Sequence, residues 1–399
     1  MIPFVYDFLL LMLLFVLYQA GKGLKRNGGK IASSSGLMAI VAYTFNEGLR
    51  FGRGVDYNLY WGLYERLSSG EDSDKEWVFN LLIKIMSFVG IPYQGFVMLE
   101  SFLFILGVLF LLRNYREILP LALPLFAFFS LGEVENMIRW YIGFFFILIG
   151  LSFLLNEKTK YFFIVSYCGC LFHIGLLPVP ILFYLLYLIK KPFLHPLVSI
   201  PLFLAIGLFF QTDVMLNFVD IVNALTFLSE RAAFYADDAE TWLTGGYAGV
   251  TKNPFPNVKE MFFLFLLVWY GYKCIEKTDH KAIYAYNLFL FGFLLRPIAN
   301  IIELVIRYDD LFYFFRSIVC AIIIYDFLVV KVKIVPIVKI VFVILLLNIL
   351  YSGFRRPFVV PDLCMYVWDQ KNQDGEYMKQ LWIDTAEKIS QEAEKSKHR

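Results

Sequence analysis

Residues 50–60 read Arg-Phe-Gly-Arg-Gly-Val-Asp-Tyr-Asn-Leu-Tyr, so Arg50, Arg53 and Asp56 fall within seven positions of one another. A guanidinium fork matches a pair of phosphate oxygens, and a carboxylate can accept the proton of an attacking hydroxyl. Tyr57 and Tyr60 add flat faces that carry their own hydroxyls, and Gly52 and Gly54 permit backbone conformations closed to other residues. This combination suits a sugar or phosphate ligand. The same eleven residues would serve equally as a loop whose arginines and tyrosines anchor it at the headgroup level of a membrane, and both readings stand at this point.

Further candidates follow along the chain. Asn136 and Arg139 are three apart and would share one face of a helix; Arg139 either binds a ligand or snorkels to the membrane surface. His173 lies in an apolar stretch, 161–189, that also holds Gly175, Pro178 and Pro180. It is either a satisfied core histidine or a residue beside broken backbone lining a cavity. Arg296, Asn300, Glu303 and Arg307 are spaced four, three and four apart, which predicts one face of a single helix continuing from 283–305. An ionisable group in such a helix costs ~2.5–3.5 kcal/mol on insertion scales and marks a site, unless an internal Arg–Glu pair merely fixes packing. Within this seam Arg296 is expected to be the deeper, structural member, paired with an acid or a broken-helix carbonyl, and Arg307 the one that reaches a ligand. Arg231 and Arg316 complete a set with Arg50, Arg53, Arg139, Arg296 and Arg307. Such a set suits a pyrophosphate, each charge-assisted bond contributing ~1.5–3 kcal/mol. With Asp56 and His173 as candidate bases, the residues fit transfer of a sugar from a lipid-linked pyrophosphate.

The elements that must position these groups are membrane helices. The chain has 399 residues, 59% hydrophobic and 19% aromatic, more apolar surface than a soluble core absorbs. Its apolar runs approach or reach the ~20 residues of a spanning helix. The expected fold is all-α, a polytopic bundle of about 11–12 spans. Lys and Arg cluster in short turns at 22–30, 113–116, 158–160, 190–191, 273–281 and 331–333, which the positive-inside rule assigns to the cytoplasm. The longer loops 50–76 and 211–258 then face outward, and the second is too long to be a bare connection. Residues 3–20 read as a retained helix, and 77–89 as a helix lying at the interface. The stretch 161–189 must cross twice or re-enter, since a single crossing would put every later basic turn outside. The membrane region spans 1–353. A polar tail covers 354–399, its side left open because charge alternation and Arg355-Arg356 disagree. Five cysteines form no framework. Phosphate-loop, HExxH and GxSxG patterns are absent, and Asp72-Ser-Asp74 is a three-residue pattern in an acidic turn on the wrong side for nucleotide sugars. No cofactor, metal or nucleic acid is implied.

Four segments carry a resemblance: residues 50–60, then Glu76-Trp-Val-Phe-Asn-Leu-Leu82, then Asn136-Met-Ile-Arg139, then Phe172-His173-Ile-Gly175. In this order they resemble the EpsG family of Wzy-like exopolysaccharide and O-antigen polymerases, closely over 41–184 and by layout elsewhere. Val55 and Gly175 depart from the family pattern, which usually has Thr or Ser before the aspartate and Ser two after the histidine. The resemblance implies a GT-C-like membrane glycosyltransferase in the bacterial inner membrane. It would join oligosaccharide repeat units carried on undecaprenyl diphosphate at the outer face, alongside chain-length regulator and flippase proteins. Arg50, Arg139, Arg231 and Arg307 would then hold the diphosphate, Tyr57 and Tyr60 the sugars, and Asp56 or His173 would be the base. A lipid-linked oligosaccharide flippase or an O-antigen ligase is the alternative.

Overall fold

The computed structural model describes residues 2–54, 56–73, 75–210, 253–275, 279–330, 336–359 and 364–368. Val55, Asp74, Arg231 and the rest of 211–252 lie outside the described residues. The chain is an all-α polytopic membrane protein. Six of its described helices are long and apolar enough to cross a bilayer, and four shorter apolar helices accompany them.

Helix α1 (Ile2–Arg26) descends to a basic turn, and α2 (Ser34–Gly48), capped by the Ser33 hydroxyl accepting from Gly36 N, returns. Strand β1 (Arg50–Phe51) and α3 (Tyr57–Ser68) follow. Helix α4 (Trp77–Phe88) is amphipathic: Phe79, Ile83 and Met86 are buried while Trp77, Leu81, Ile85 and Phe88 face outward. Helix α5 (Tyr93–Leu112) crosses back. Next come α6 (Leu119–Asn136) and α7 (Ile138–Leu154). Pro120 sits at the start of α6, where its missing N–H is harmless, and Pro124 is carried inside without ending the helix. Between them Met137 (ψ 61) breaks the chain, so Asn136 and Arg139 do not share one helix face.

The stretch around His173 is a hairpin. Helix α8 (Thr159–Cys170) and α9 (Val179–Leu188) are separated by a short 3-10 turn at Ile174–Leu176, with Pro178 and Pro180 at the restart. The Phe163 and Tyr184 rings meet at 5.1 Å, pairing the start of α8 with the end of α9. Helices α7 and α8 cross where Gly143 meets Gly169: a Cβ on Gly169 would lie 2.3 Å from the Gly143 carbonyl oxygen. Helix α10 (Pro196–Phe209) leads to the undescribed segment, and α11 (Val258–Ile275) resumes.

The predicted seam is split. Helix α12 (His280–Ala299) ends three residues after Arg296, and α13 (Glu303–Tyr313) folds back antiparallel, with Gly292 against Phe312 and Tyr313. Residues 296, 300, 303 and 307 are therefore not one helix face. Helix α14 (Arg316–Tyr325) and a π turn continue downward, and α15 (Pro336–Val359) climbs again, passing through the expected boundary at 353. Strand β2 (Met365–Tyr366) then pairs antiparallel with β1, Arg50 opposite Tyr366. This puts residues 364–368 at the same end as Arg50. Arg356 can sit there because Glu135 neutralises it at 2.8 Å.

The basic turns gather at the opposite end. Lys25 pairs with Glu117 at 2.7 Å, Asn156 bonds to Asn114, Tyr115 to the carbonyl of Lys281, and Lys190 to His280. By the positive-inside rule this end is the one expected to face the cytoplasm. A Ser69→Cys variant is accordingly expected to react with a membrane-impermeant maleimide in intact spheroplasts; reaction only after permeabilisation would reverse the orientation.

Candidate functional site

The residues 50–60 that promised two free guanidinium forks instead fold into a buried ion network. Arg50 and Arg53 have no exposed side-chain surface. Arg50 pairs with Glu100 at 3.0 Å and donates to Ser101 Oγ and the Glu47 carbonyl. Arg53 lies 3.2 Å from Glu135 and 3.5 Å from Glu47, with its guanidinium 4.8 Å from the Tyr366 ring and 5.5 Å from the Tyr6 ring. A charge taken out of water must be paired to be tolerated, and these two are spent on one another's neighbours. Arg50, expected to hold the diphosphate, and Arg53, expected among the substrate-binding arginines, are both buried and ion-paired in this structure, where they fix the shape of the loop. Gly54 completes the fit at φ +92, where a Cβ would strike the Glu135 carbonyl at 2.2 Å.

What the network holds in place is a rim at the loop end of the bundle, where the four sequence segments meet. The backbone N–H of Asp56, at the start of α3, donates to Asn136 Oδ1 at 2.9 Å. One turn on, Tyr60 hydrogen-bonds to Arg139. Arg139, in the first turn of α7, pairs with Glu76 and lies over the Phe79 ring. Glu76 Oε1 also accepts from Ile174 N at 3.1 Å, tying α4 to the α8–α9 break. Trp140 meets the His173 ring at 4.9 Å and that of Tyr308 at 5.4 Å. The Tyr308 hydroxyl donates to the Gly175 carbonyl at 2.9 Å, bringing α13 and its half-buried Arg307 to the same rim. No ion-pair partner for Arg307 occurs among the described residues.

Two details show what this rim can do. Trp140 is 3% exposed, yet its Nε1–H has no acceptor among the described residues, although a buried indole donor ordinarily finds one. His173 Nδ1 accepts from Gly175 N at 3.1 Å, so in the neutral ring the proton sits on Nε2 and that nitrogen is a donor. The first N–H groups of α7 also lack intrahelical partners and carry the positive end of its dipole. The rim thus gathers hydrogen-bond donors and positive charge in one place.

Glu76 lies outside the spans. Burial pushes its carboxyl up, but the Arg139 guanidinium and backbone N–H groups outweigh this and hold it below the usual carboxylate range. A depressed carboxylate contributes stability above its unfolded pKa, lost as pH falls through the folded value. As pH falls from about 5 to about 3 the thermal midpoint of the wild type should therefore fall further than that of Glu76→Gln, whereas equal slopes would contradict the pairing. The low pKa also makes Glu76 a weak base that orients Arg139.

The remaining candidates scatter. Tyr57 is buried, its hydroxyl bonded to Gln94 Oε1 at 3.1 Å. Tyr60 is 7% exposed, so neither tyrosine offers an open ring face. Arg296 pairs with Asp309 at 2.6 Å and Asp310 at 3.4 Å across the α12–α13 hairpin, which makes it structural. Asn300 donates to the Pro254 carbonyl. Arg316 lies in a separate cleft, and Arg231 lies outside the described residues. Sequence reasoning missed Glu76, Trp140 and Tyr308 as rim residues and Glu47, Glu100 and Glu135 as partners. An acid inside an apolar span, as Glu100 is, was the available signal.

The model of the EpsG family matches residues 35–362, most of the chain. The chain belongs to the EpsG family. No curated protein and no solved structure matches it. Membership gives a polysaccharide-polymerase-like role and a glycosyltransferase-like activity at the coarse level, in a multi-pass membrane protein. Within this EpsG chain the matched span covers the whole rim, from Asp56 to Tyr308, and the ion network beneath it.

Proposed function

We propose that the protein is a polysaccharide polymerase that joins oligosaccharide repeat units carried on undecaprenyl diphosphate, at the outer face of the bacterial inner membrane. The observation that carries this reading is the meeting at one rim of the four segments that hold Asp56, Glu76, Arg139 and His173, with a buried indole N–H that lacks an acceptor among the described residues beside His173. In this reading an acceptor sugar hydroxyl gives its proton to Asp56 and attacks the anomeric carbon of the donor glycan. The bond from that carbon to the diphosphate oxygen breaks, and the leaving diphosphate takes the electron pair. Arg139, Arg307, the His173 Nε2–H and the first turn of α7 hold its charge. Glu76 occupies one edge of the Arg139 fork and keeps the other donors aimed. Because His173 Nδ1 already accepts a backbone N–H, Asp56 is favoured over His173 as the base. A diphosphate leaves readily, so no general acid is needed. Arg231, in the segment outside the described residues, remains a proposed contact of the same diphosphate, and chain-length regulator and flippase proteins remain proposed partners.

The glycan profile of a deletion strain tests the reading. Lipid carrier bearing a single repeat unit on the outer leaflet, with polymer absent, is the expected result. Full-length polymer left unattached would make the protein a ligase, and repeat units trapped on the inner leaflet would make it a flippase.

A further inference from the structure

A second cationic site lies on the other side of the ion network. A cleft of about 290 Å³ is lined by α1, α6, α11, α14 and α15, with Lys259, Arg316 and Glu260 on its wall and Arg356, already paired with Glu135 at 2.8 Å, beside them. Glu260 is held on the wall by the Tyr313 hydroxyl at 3.0 Å. Arg316 is 16% exposed and poorly satisfied. Its guanidinium lies between the rings of Tyr313 (3.9 Å) and Phe129 (4.4 Å), its Nη2 reaches the Phe129 carbonyl only at 3.5 Å, Glu260 lies 3.9 Å away, and its buried Nε has no acceptor. The two rings pack against the guanidinium, and the residue lines the cleft. A buried cation this weakly bonded is costly without an anion.

The position of the cleft says where such an anion comes from. One wall, α15, has only 11% of its spanning window buried, and Ile344, Leu347 and Tyr351 point outward, so the wall faces lipid. Val258 and Phe262 of α11 are exposed as well. Arg356 lies about 30 Å up α15 from Pro336, at 1.5 Å per residue, and Lys259 lies at the first turn of α11. Both are at headgroup height in the leaflet at the Arg50 end, so a lipid tail could lie along α15 while its headgroup enters.

We propose that this cleft binds the diphosphate headgroup of a lipid in the outer leaflet, separately from the rim around Arg139 and His173. Transfer of a glycan between two lipid carriers needs two headgroup sites, and the cleft then holds the second carrier; that role rests on the polymerase reading, while headgroup binding does not.

The test is native mass spectrometry of the full chain released from neutral-lipid nanodiscs, with geranylgeranyl diphosphate, inorganic pyrophosphate and phosphatidylglycerol as probes. The wild type is expected to bind two geranylgeranyl diphosphates. Lys259→Gln, at an exposed position that leaves folding intact, and Arg316→Lys, which keeps the charge, should each weaken one of the two by about tenfold or more. Arg139→Gln should remove the other. Unchanged stoichiometry and affinity in both cleft variants would overturn the proposal. So would equal binding of inorganic pyrophosphate, which would make the cleft a free-anion site, or equal competition by phosphatidylglycerol, which would make it a site for ordinary lipid. Loss of one diphosphate from the cleft variants with none lost from Arg139→Gln would uphold the cleft and count against the rim.

Discussion

Asp56→Asn is expected to lose polymer formation by roughly 10²–10⁴-fold, the range that a positioned general base contributes, while the protein inserts and folds as the wild type does. The substitution keeps the size of the side chain and leaves its backbone N–H bonded to Asn136, so only the charge that accepts the proton is removed. His173→Gln is the companion variant. It retains a side-chain donor and should keep measurable polymerisation, because in this account the histidine donates to the leaving diphosphate. Normal polymer from Asp56→Asn with none from His173→Gln would transfer the base to the histidine.

Glu135→Ala is expected to destabilise the fold by ~3–5 kcal/mol, the cost of breaking a buried pair by removing one partner. Glu135 is shared: Arg53 lies at 3.2 Å and Arg356 at 2.8 Å. Its loss strands the Arg356 guanidinium and leaves Arg53 with Glu47 alone at 3.5 Å. Fluorescence-detected unfolding of the purified protein reads this directly, and an unchanged midpoint would show that the network contributes little. Any loss of polymer in this variant should track loss of folded protein, unlike the loss in Asp56→Asn.

The helical membrane fold was legible because apolar runs of spanning length admit little else, and the hairpin at His173 because Pro178 and Pro180 coincide with a charge pattern that forbids a single crossing. The α12–α13 turn was not legible. Ile301 and Ile302 continue the apolar period, no glycine marks the reversal, and Pro297 is tolerated inside α12. The split at Met137 hid for the same reason. The site was half visible. Asp56, Arg139 and His173 could be named from residue type and setting, but Arg50 and Arg53 carry the same letters as ligand-binding arginines. Only folding reveals their partners, such as Glu100, which lies fifty residues along the chain from Arg50. Glu76 stood in the second resembling segment and drew no notice, since its role depends on the Ile174 N–H nearly a hundred residues away.

The most direct test of the central claim is to reconstitute the purified chain in bilayers with a synthetic repeat unit on polyprenyl diphosphate, and to count free polyprenyl diphosphate against glycosidic linkages formed. The account predicts lengthened lipid-linked glycan with one diphosphate lipid released per linkage, and neither product from Asp56→Asn. Linkages formed without release of the diphosphate lipid, or a folded wild-type protein that forms none, would contradict it.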